Sequence, residues 1–234
     1  MMHRIVIVSK DRKARVAYKK KALSSGFIYD QRHPEIVITY GGDGTLLHAE
    51  RLYPGVPKLP LKNSPTSRKS HDHPFEHALA ALTAGRVRET RQEKLLIVAK
   101  RGRTVIGRSE ALNDACIRNR DATHAIRFSV AVDRKAIAEN LIGDGVVVST
   151  PFGSTAYFFS ITKETFDIGF GIAFNNVPVD QSYALIDTDC TVTVTLERGP
   201  ADLTADNGKV ALLRTGDTVL IKRAARPARL LSLR

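Results

Sequence analysis

Three observations predict an α/β N-terminal domain with a parallel sheet, followed by a mainly β C-terminal domain. The N-terminal part alternates short β-branched apolar runs with helix-compatible stretches, the pattern of β-α-β units. From about Gln92 that alternation gives way to short segments rich in Val, Ile and Thr, separated by turn residues. The 234 residues, 43% of them hydrophobic, suffice to bury a core in one large domain or two small ones. The division is expected at residues 1–94 and 95–234, with the last residues free to return to the first domain.

Arg4-Ile5-Val6-Ile7-Val8-Ser9 is apolar on both faces and reads as an interior parallel strand. Asp11 to Ser25 is helix-compatible and ends near Gly26; its Lys19-Lys20-Lys21 run is taken as a solvated helix face. Ile36 to Tyr40 is a second buried strand, followed by a glycine turn and a helix through about Leu52. Tyr53 to Pro74 holds Pro54, Pro57, Pro60, Pro65 and Pro74, so a loop is expected with at most one short strand near Lys58–Lys62. Within it, His71-Asp72-His73 is expected to be an exposed loop stretch rather than a metal site. Phe75, Leu79 and Leu82, with Ala78 and Ala81, recur at helical spacing and predict a core-facing helix over 75–84 that ends at Gly85. Beyond it, strands are predicted at Glu93–Lys100, Thr104–Ser109, Ala125–Val132, Val146–Thr150, Gly171–Phe174, Cys190–Glu197 and Asp217–Lys222. Lys100-Arg101-Gly102-Arg103 is the expected hairpin turn between the first two, and such a set packs as a sandwich or a pair of sheets.

The turn Gly41-Gly42-Asp43-Gly44-Thr45 organises the first domain. It lies at the carboxyl end of a parallel strand, where such sheets place ligands. Glycines let backbone N–H groups approach an anion closely, and the following helix adds its own unpaired N–H groups, so the turn suits phosphate. A carboxylate in that ring repels phosphate unless it has chemistry of its own, such as taking a proton from a hydroxyl or holding a metal ion. The plainer reading is a strand-to-helix turn with Asp43 as N-cap.

Two stretches stand out in the second half. In Ala111-Leu112-Asn113-Asp114-Ala115 an amide and a carboxylate interrupt strand-like sequence; side by side they can divide a ribose, or simply form an Asx turn. Gly143-Asp144-Gly145 opens a buried strand that ends in Thr150-Pro151-Phe152-Gly153-Ser154-Thr155-Ala156-Tyr157. Asp144 thus falls at one end of a strand and a small, hydroxyl-rich turn at the other, more polar groups than a plain strand and loop require.

The formal charge of +12 attracts a polyanion to this surface whatever the fold. The basic residues are scattered, and with no Trp and 6% aromatics base-stacking platforms are sparse, so phosphorylated small molecules are favoured over a dedicated nucleic-acid partner. Cys116 and Cys190 offer neither a disulfide framework nor a zinc pattern and are expected to be buried small hydrophobes. No apolar run reaches the length of a membrane span and no signal-peptide pattern is seen, so a soluble, cytoplasmic protein without a membrane partner is expected.

Gly41-Gly42-Asp43-Gly44-Thr45, then Asn113-Asp114, then Asp144-Gly145 with Thr150-Pro151-x-Gly153-Ser154-Thr155-Ala156-Tyr157, in that order, resembles the NAD kinases. The first motif is shared with lipid kinases and phosphofructokinase-like enzymes; the third is much more specific. Asp206-Asn207-Gly208 resembles the late Asp-Gly turn of that family's β domain. The resemblance implies a site in the crevice between an α/β and a β domain, and transfer of phosphate from ATP with Mg²⁺ to the 2′-hydroxyl of the adenosine ribose of NAD. It implies Asp43 as the base, with Gly41, Gly42, Gly44 and Thr45 cradling phosphates. Asn113 and Asp114 would hold ribose hydroxyls and adenine, with Asp144, Thr155, Ala156, Tyr157 and Ser160 lining the dinucleotide pocket and no dedicated protein metal site. A homo-oligomer is expected because family members commonly assemble.

The chain departs from the family at several points. Asp114 stands where Glu is more frequent, one methylene shorter. Lys58-Leu59-Pro60-Leu61-Lys62-Asn63 replaces a Leu-Gly-Phe turn, Phe152 replaces a Ser or Thr, and the segment after Tyr157 is shortened to Phe158–Asn176. These departures motivate two competing readings: a catalytically silent nucleotide-binding regulator, and a kinase for another alcohol.

Overall fold

The computed structural model describes residues 3–63, 69–178 and 182–234, so Pro65 of the proline-rich loop lies outside them. The chain forms two compact units, Met1–Gln92 with Pro227–Arg234, and Glu93–Arg226. The first runs β1 (Arg4–Val8), α1 (Arg12–Ser24), β2 (Ile28–Tyr29), β3 (Ile36–Tyr40), α2 (Asp43–Leu52), β4 (Lys58–Leu61), α3 (Phe75–Thr83) and β5 (Val87–Gln92). The second contains β6 (Leu95–Arg101), β7 (Thr104–Ala111), β8 (Asp114–Asn119), β9 (Ile126–Val132), β10 (Lys135–Gly143) and β11 (Gly145–Ser149). A wide helical turn, Ser154–Phe158, and α4 (Phe159–Thr162) precede β12 (Phe170–Asn175), β13 (Tyr183–Ile186), β14 (Val192–Arg198), β15 (Ala201–Ala205), β16 (Gly208–Leu213) and β17 (Thr218–Arg223). The final strand, β18 (Ala228–Leu233), returns to the first unit.

In the first unit the sheet order is β2-β1-β3-β4-β18-β5. All neighbours pair in parallel except β18 with β5. Val6, Val37 and Ile38 are essentially inaccessible, as strands covered on both faces require. Register aligns Val8 with Thr39 and Tyr40 with Leu61, so the carboxyl ends of β1, β3 and β4 lie side by side. Asp11 caps α1 by accepting the N–H of Ala14 at 3.1 Å, and Gly26, at φ 83, lets the chain leave it. Phe75, Leu79 and Leu82 of α3 pack into the core of this sheet. The ammonium of Lys58, fully buried in β4, pairs with Glu50 of α2 and also donates to the Tyr53 carbonyl at 2.6 Å, tying the turn after α2 to the sheet.

The second unit has two six-stranded antiparallel sheets, β10-β9-β14-β17-β6-β7 and β13-β12-β11-β8-β15-β16. They share one core that includes Leu95, Ile97, Ile117, Phe128, Val146, Val148, Ile172 and Leu203. On its outer face the second sheet carries a smaller cluster in which Phe158 and Phe166 pack over Cys116, Val147 and Ala173.

Several expectations need correction. The helix after β3 begins at Asp43, inside the glycine motif, and its N-cap is Gly42, which offers no side chain. His71 is half-buried: its N–H and C=O bond to Pro60 and Lys62 beside β4, and burial depresses its imidazole pKa. Cys116 is buried, its thiol pushed up to about 12 mainly by burial, but Cys190 is only half-buried. The lysine run, by contrast, is the solvated helix face expected: Lys19, Lys20 and Lys21 are all exposed, with Lys21 paired to Glu76 and Lys19 over the ring of Tyr29.

Candidate active site

The carboxyl ends of β1, β3 and β4 open onto a cavity of about 220 Å³ lined by Lys10, Tyr40, Gly41, Gly42, Gly44, Thr45 and Asn63. The sequence-predicted glycines and Thr45 are therefore brought together. Because α2 starts at Asp43, its first turn belongs to the motif itself, and the Thr45 N–H there donates to the Gly42 carbonyl at 2.8 Å. Gly42 is extended, at φ −86 and ψ −176, and an added Cβ there would meet no atom within 4 Å, so its face of the turn is open. The Asp43 carboxylate accepts the N–H of Lys69 at 3.0 Å. Lys10 and Asn63 were not singled out from sequence. The signal was their place two residues past a strand end in a parallel sheet.

In the second unit β8 and β11 pair antiparallel, Ser149 opposite Asp114 and Gly145 opposite Arg118. Asn113, Asp114, Thr150 and Gly153 meet at one end. The backbone at 112–114 is held from two sides there. The Thr150 hydroxyl donates to the Leu112 carbonyl at 2.6 Å, and the Thr150 N–H donates to that of Asn113 at 2.9 Å. The Asp206 carboxylate accepts the N–H groups of Leu112, Asn113 and Asp114. Asn113 and Asp114 are 6% and 7% exposed, so their position is set by packing as well as by these bonds.

Asp144 lies at the other end of the strand pair, five residues before Ser149, about 17 Å at the usual strand rise. Its two carboxylate oxygens each accept an amide N–H at 3.2 Å, from Asn119 and Asn176. The Tyr157 hydroxyl reaches toward this end, accepting from the side-chain amide of Asn175, which is paired with Gly145. Burial, then the neighbouring Cys116, raises the Tyr157 pKa and keeps it a neutral phenol. Ala156 interrupts the helical turn at φ −102 and ψ −116. Thr155 and Ser160 are exposed, and the Ser160 hydroxyl donates to the Tyr157 carbonyl at 2.7 Å. The third motif thus spans both ends of β11 rather than forming one cluster.

The first unit carries a glycine-rich turn at the carboxyl end of a parallel strand, and the second carries the buried side chains of Asn113 and Asp114. The profile of the ATP-NAD kinase C-terminal domain matches residues 112–233. The NAD kinase of Gemmatimonas aurantiaca is 30% identical over 212 residues, which are 85% of this chain and 72% of that protein. The NAD kinase of Alcanivorax borkumensis is 34% identical over 130 residues, 54% of this chain and 43% of that protein. Among solved structures, yeast NADH kinase complexed with NADH superposes with a TM-score of 0.89 at 15% identity, covering 100% of this chain and 84% of that one. An NAD kinase from Archaeoglobus fulgidus in complex with ATP gives 0.78 at 17% identity, covering 97% and 92%. The chain belongs to the NAD kinase family, phosphotransferases with an alcohol acceptor.

Proposed function

We propose that the chain is an NAD kinase that transfers the γ-phosphate of ATP to the 2′-hydroxyl of the adenosine ribose of NAD, giving NADP. The observation that carries this reading is the glycine cradle, an open cavity of about 220 Å³ with Asp43 in the first turn of the helix beside it, in a chain of this family. That relatives hold NADH and ATP supports the choice of acceptor and donor.

In this reading Gly41, Gly42, Gly44 and Thr45 cradle the donor phosphates, Gly42 and Gly44 through backbone N–H groups and Thr45 through its hydroxyl, because the Gly41 and Thr45 N–H groups already donate to the Leu61 and Gly42 carbonyls. Lys10 adds the positive charge that a transferring phosphoryl group requires. Asp43 accepts the proton of the 2′-hydroxyl as the new O–P bond forms, and ADP leaves. Asn113 and Asp114 hold the adenosine of NAD, and Asp144, Thr155, Ala156, Tyr157 and Ser160 contribute the remaining dinucleotide contacts. Among the described residues no group of three His, Cys, Asp or Glu side chains is placed to hold a metal. Mg²⁺ bound with ATP would neutralise charge on its phosphate oxygens, which the glycine turn and Lys10 would hold.

Among the described residues no helix is long and apolar enough to cross a membrane. A cytoplasmic, self-associating enzyme is part of the same proposal, with sedimentation velocity as the check on assembly. The deciding experiment is NADP formation by the purified protein with NAD, ATP and Mg²⁺. Turnover establishes the reading. NAD binding without turnover, with ATP and with other phosphate donors, makes the chain a regulator, and absence of NAD binding makes the acceptor another alcohol.

A further inference from the structure

Asp206 takes the first position of the two-residue turn between β15 and β16, where Ala205 pairs with Gly208. It is held in the left-handed region at φ 50. From there Oδ2 accepts the N–H of Leu112 at 3.0 Å, and Oδ1 accepts those of Asn113 at 2.7 Å and Asp114 at 3.4 Å. The Asp206 N–H returns a bond to the Asp114 carbonyl at 2.9 Å. One residue thus makes four hydrogen bonds to three consecutive residues whose sequence position is more than ninety residues away.

A hairpin turn needs only a residue that tolerates the left-handed region, and Asn or Gly serves that purpose as well. An acceptor on both oxygens is a different demand, which a carboxylate meets and an amide does not. We propose that Asp206 is a positioning residue for the acceptor: it fixes the backbone at 112–114 so that Asn113 and Asp114 meet the adenosine of NAD. This rests on the NAD kinase reading. Asp206 acts through the pair it holds.

Asp206→Asn keeps the shape and the left-handed turn but sets an NH₂ group against backbone N–H donors. Asp206→Gly keeps the turn and removes the side chain altogether, and serves where the Asn variant folds poorly. Calorimetric titration with NAD and, separately, steady-state titration of NAD and ATP are the measurements. The expected result is a rise of about 10-fold or more in the Kd and KM for NAD, the size of a lost hydrogen bond to a charged group. KM for ATP should stay within about twofold, as the bonds altered run to the acceptor motif at 112–114. Amide exchange should speed up selectively at 112–114. Unchanged NAD affinity in a folded variant overturns the proposal, as does an equal loss for both substrates with general loss of amide protection, which marks a fold clip only. If wild type binds NAD but forms no NADP, the kinase reading fails while the Kd comparison still decides the role of Asp206. If wild type does not bind NAD, both fall.

Discussion

The backbone N–H of Lys69 donates to Oδ1 of Asp43 at 3.0 Å, so the carboxylate in the first turn of α2 is held in place by a residue 26 positions further on. This bond makes Asp43→Asn an informative substitution. The amide oxygen can take the place of Oδ1 and keep the Lys69 contact, while the capacity to accept a proton is lost. Turnover should fall by about 10²–10⁴-fold with NAD affinity within a few-fold of wild type. Single-turnover NADP formation alongside calorimetry with NAD checks both, and unchanged turnover removes Asp43 as the base.

Lys10 follows β1 and lines the same cavity as Gly41, Gly42 and Gly44. A cation beside a ring of N–H donors strengthens phosphate binding and stabilises charge on the group in transit. Lys10→Met, which keeps length and loses charge, should lower kcat/KM for ATP by about 10- to 100-fold, and Lys10→Arg should recover part of it. The KM for NAD should change little. Titration of the wild type and Lys10→Met with inorganic tripolyphosphate gives the same test without turnover: equal affinity rules the contact out.

What the sequence discloses depends on whether the relevant residues are contiguous. Strands covered on both faces, such as Ile36–Tyr40, announce themselves as apolar runs, and α3 announces itself by spacing. Val87–Gln92 and Lys135–Gly143 do not, because they are edge strands with mostly exposed residues, the first largely charged or polar and neither with a regular apolar alternation. Ile28–Tyr29 is too short to carry a pattern, and Asp114–Asn119 was masked by its leading Asn-Asp. The same division holds in the site. The glycine turn is legible because its chemistry lies in consecutive residues. Lys10, Asn63 and the bonds of Asp206 to 112–114 are created by strand register, which no local pattern encodes.

Asp217 is 1% exposed and accepts Arg101 at 2.9 and 2.7 Å and the N–H of Arg214 at 2.8 Å. The Arg101 hydrogen bond is the main cause that lowers its carboxyl below the ordinary value of 3.8. A depressed folded-state pKa means that the unfolded chain binds the proton more readily. The contribution is therefore present above the unfolded value and lost as pH falls through the folded one. Asp217→Asn should cost about 2 kcal/mol at neutral pH, moderated because the Arg101 side chain is 43% exposed and can return to water. Urea unfolding from pH 7 down to about 3 should show the two proteins converging below about pH 4. A constant gap across that range excludes Asp217 as its source.

Two glycines of the site should respond to alanine in opposite ways. Gly153 has an ordinary φ of −82, yet an added Cβ would lie 2.1 Å from the Asn113 carbonyl oxygen, so the turn or the strand must shift. Gly153→Ala should lower stability by about 1–3 kcal/mol and raise the KM for NAD, because the displaced backbone is the one that carries Asn113. At Gly42 a Cβ would meet nothing within 4 Å, so the thermal midpoint of Gly42→Ala should stay within about a degree or two of wild type. That Cβ stands instead on the open face of the cavity, in the path of an anion approaching the N–H groups of α2. The expected loss at Gly42 is therefore in the KM for ATP, with NAD binding retained. Thermal denaturation and two-substrate kinetics on the pair separate steric support of the acceptor motif from steric access to the phosphate cradle. A Gly42→Ala enzyme with wild-type ATP kinetics would move the donor phosphates off this turn.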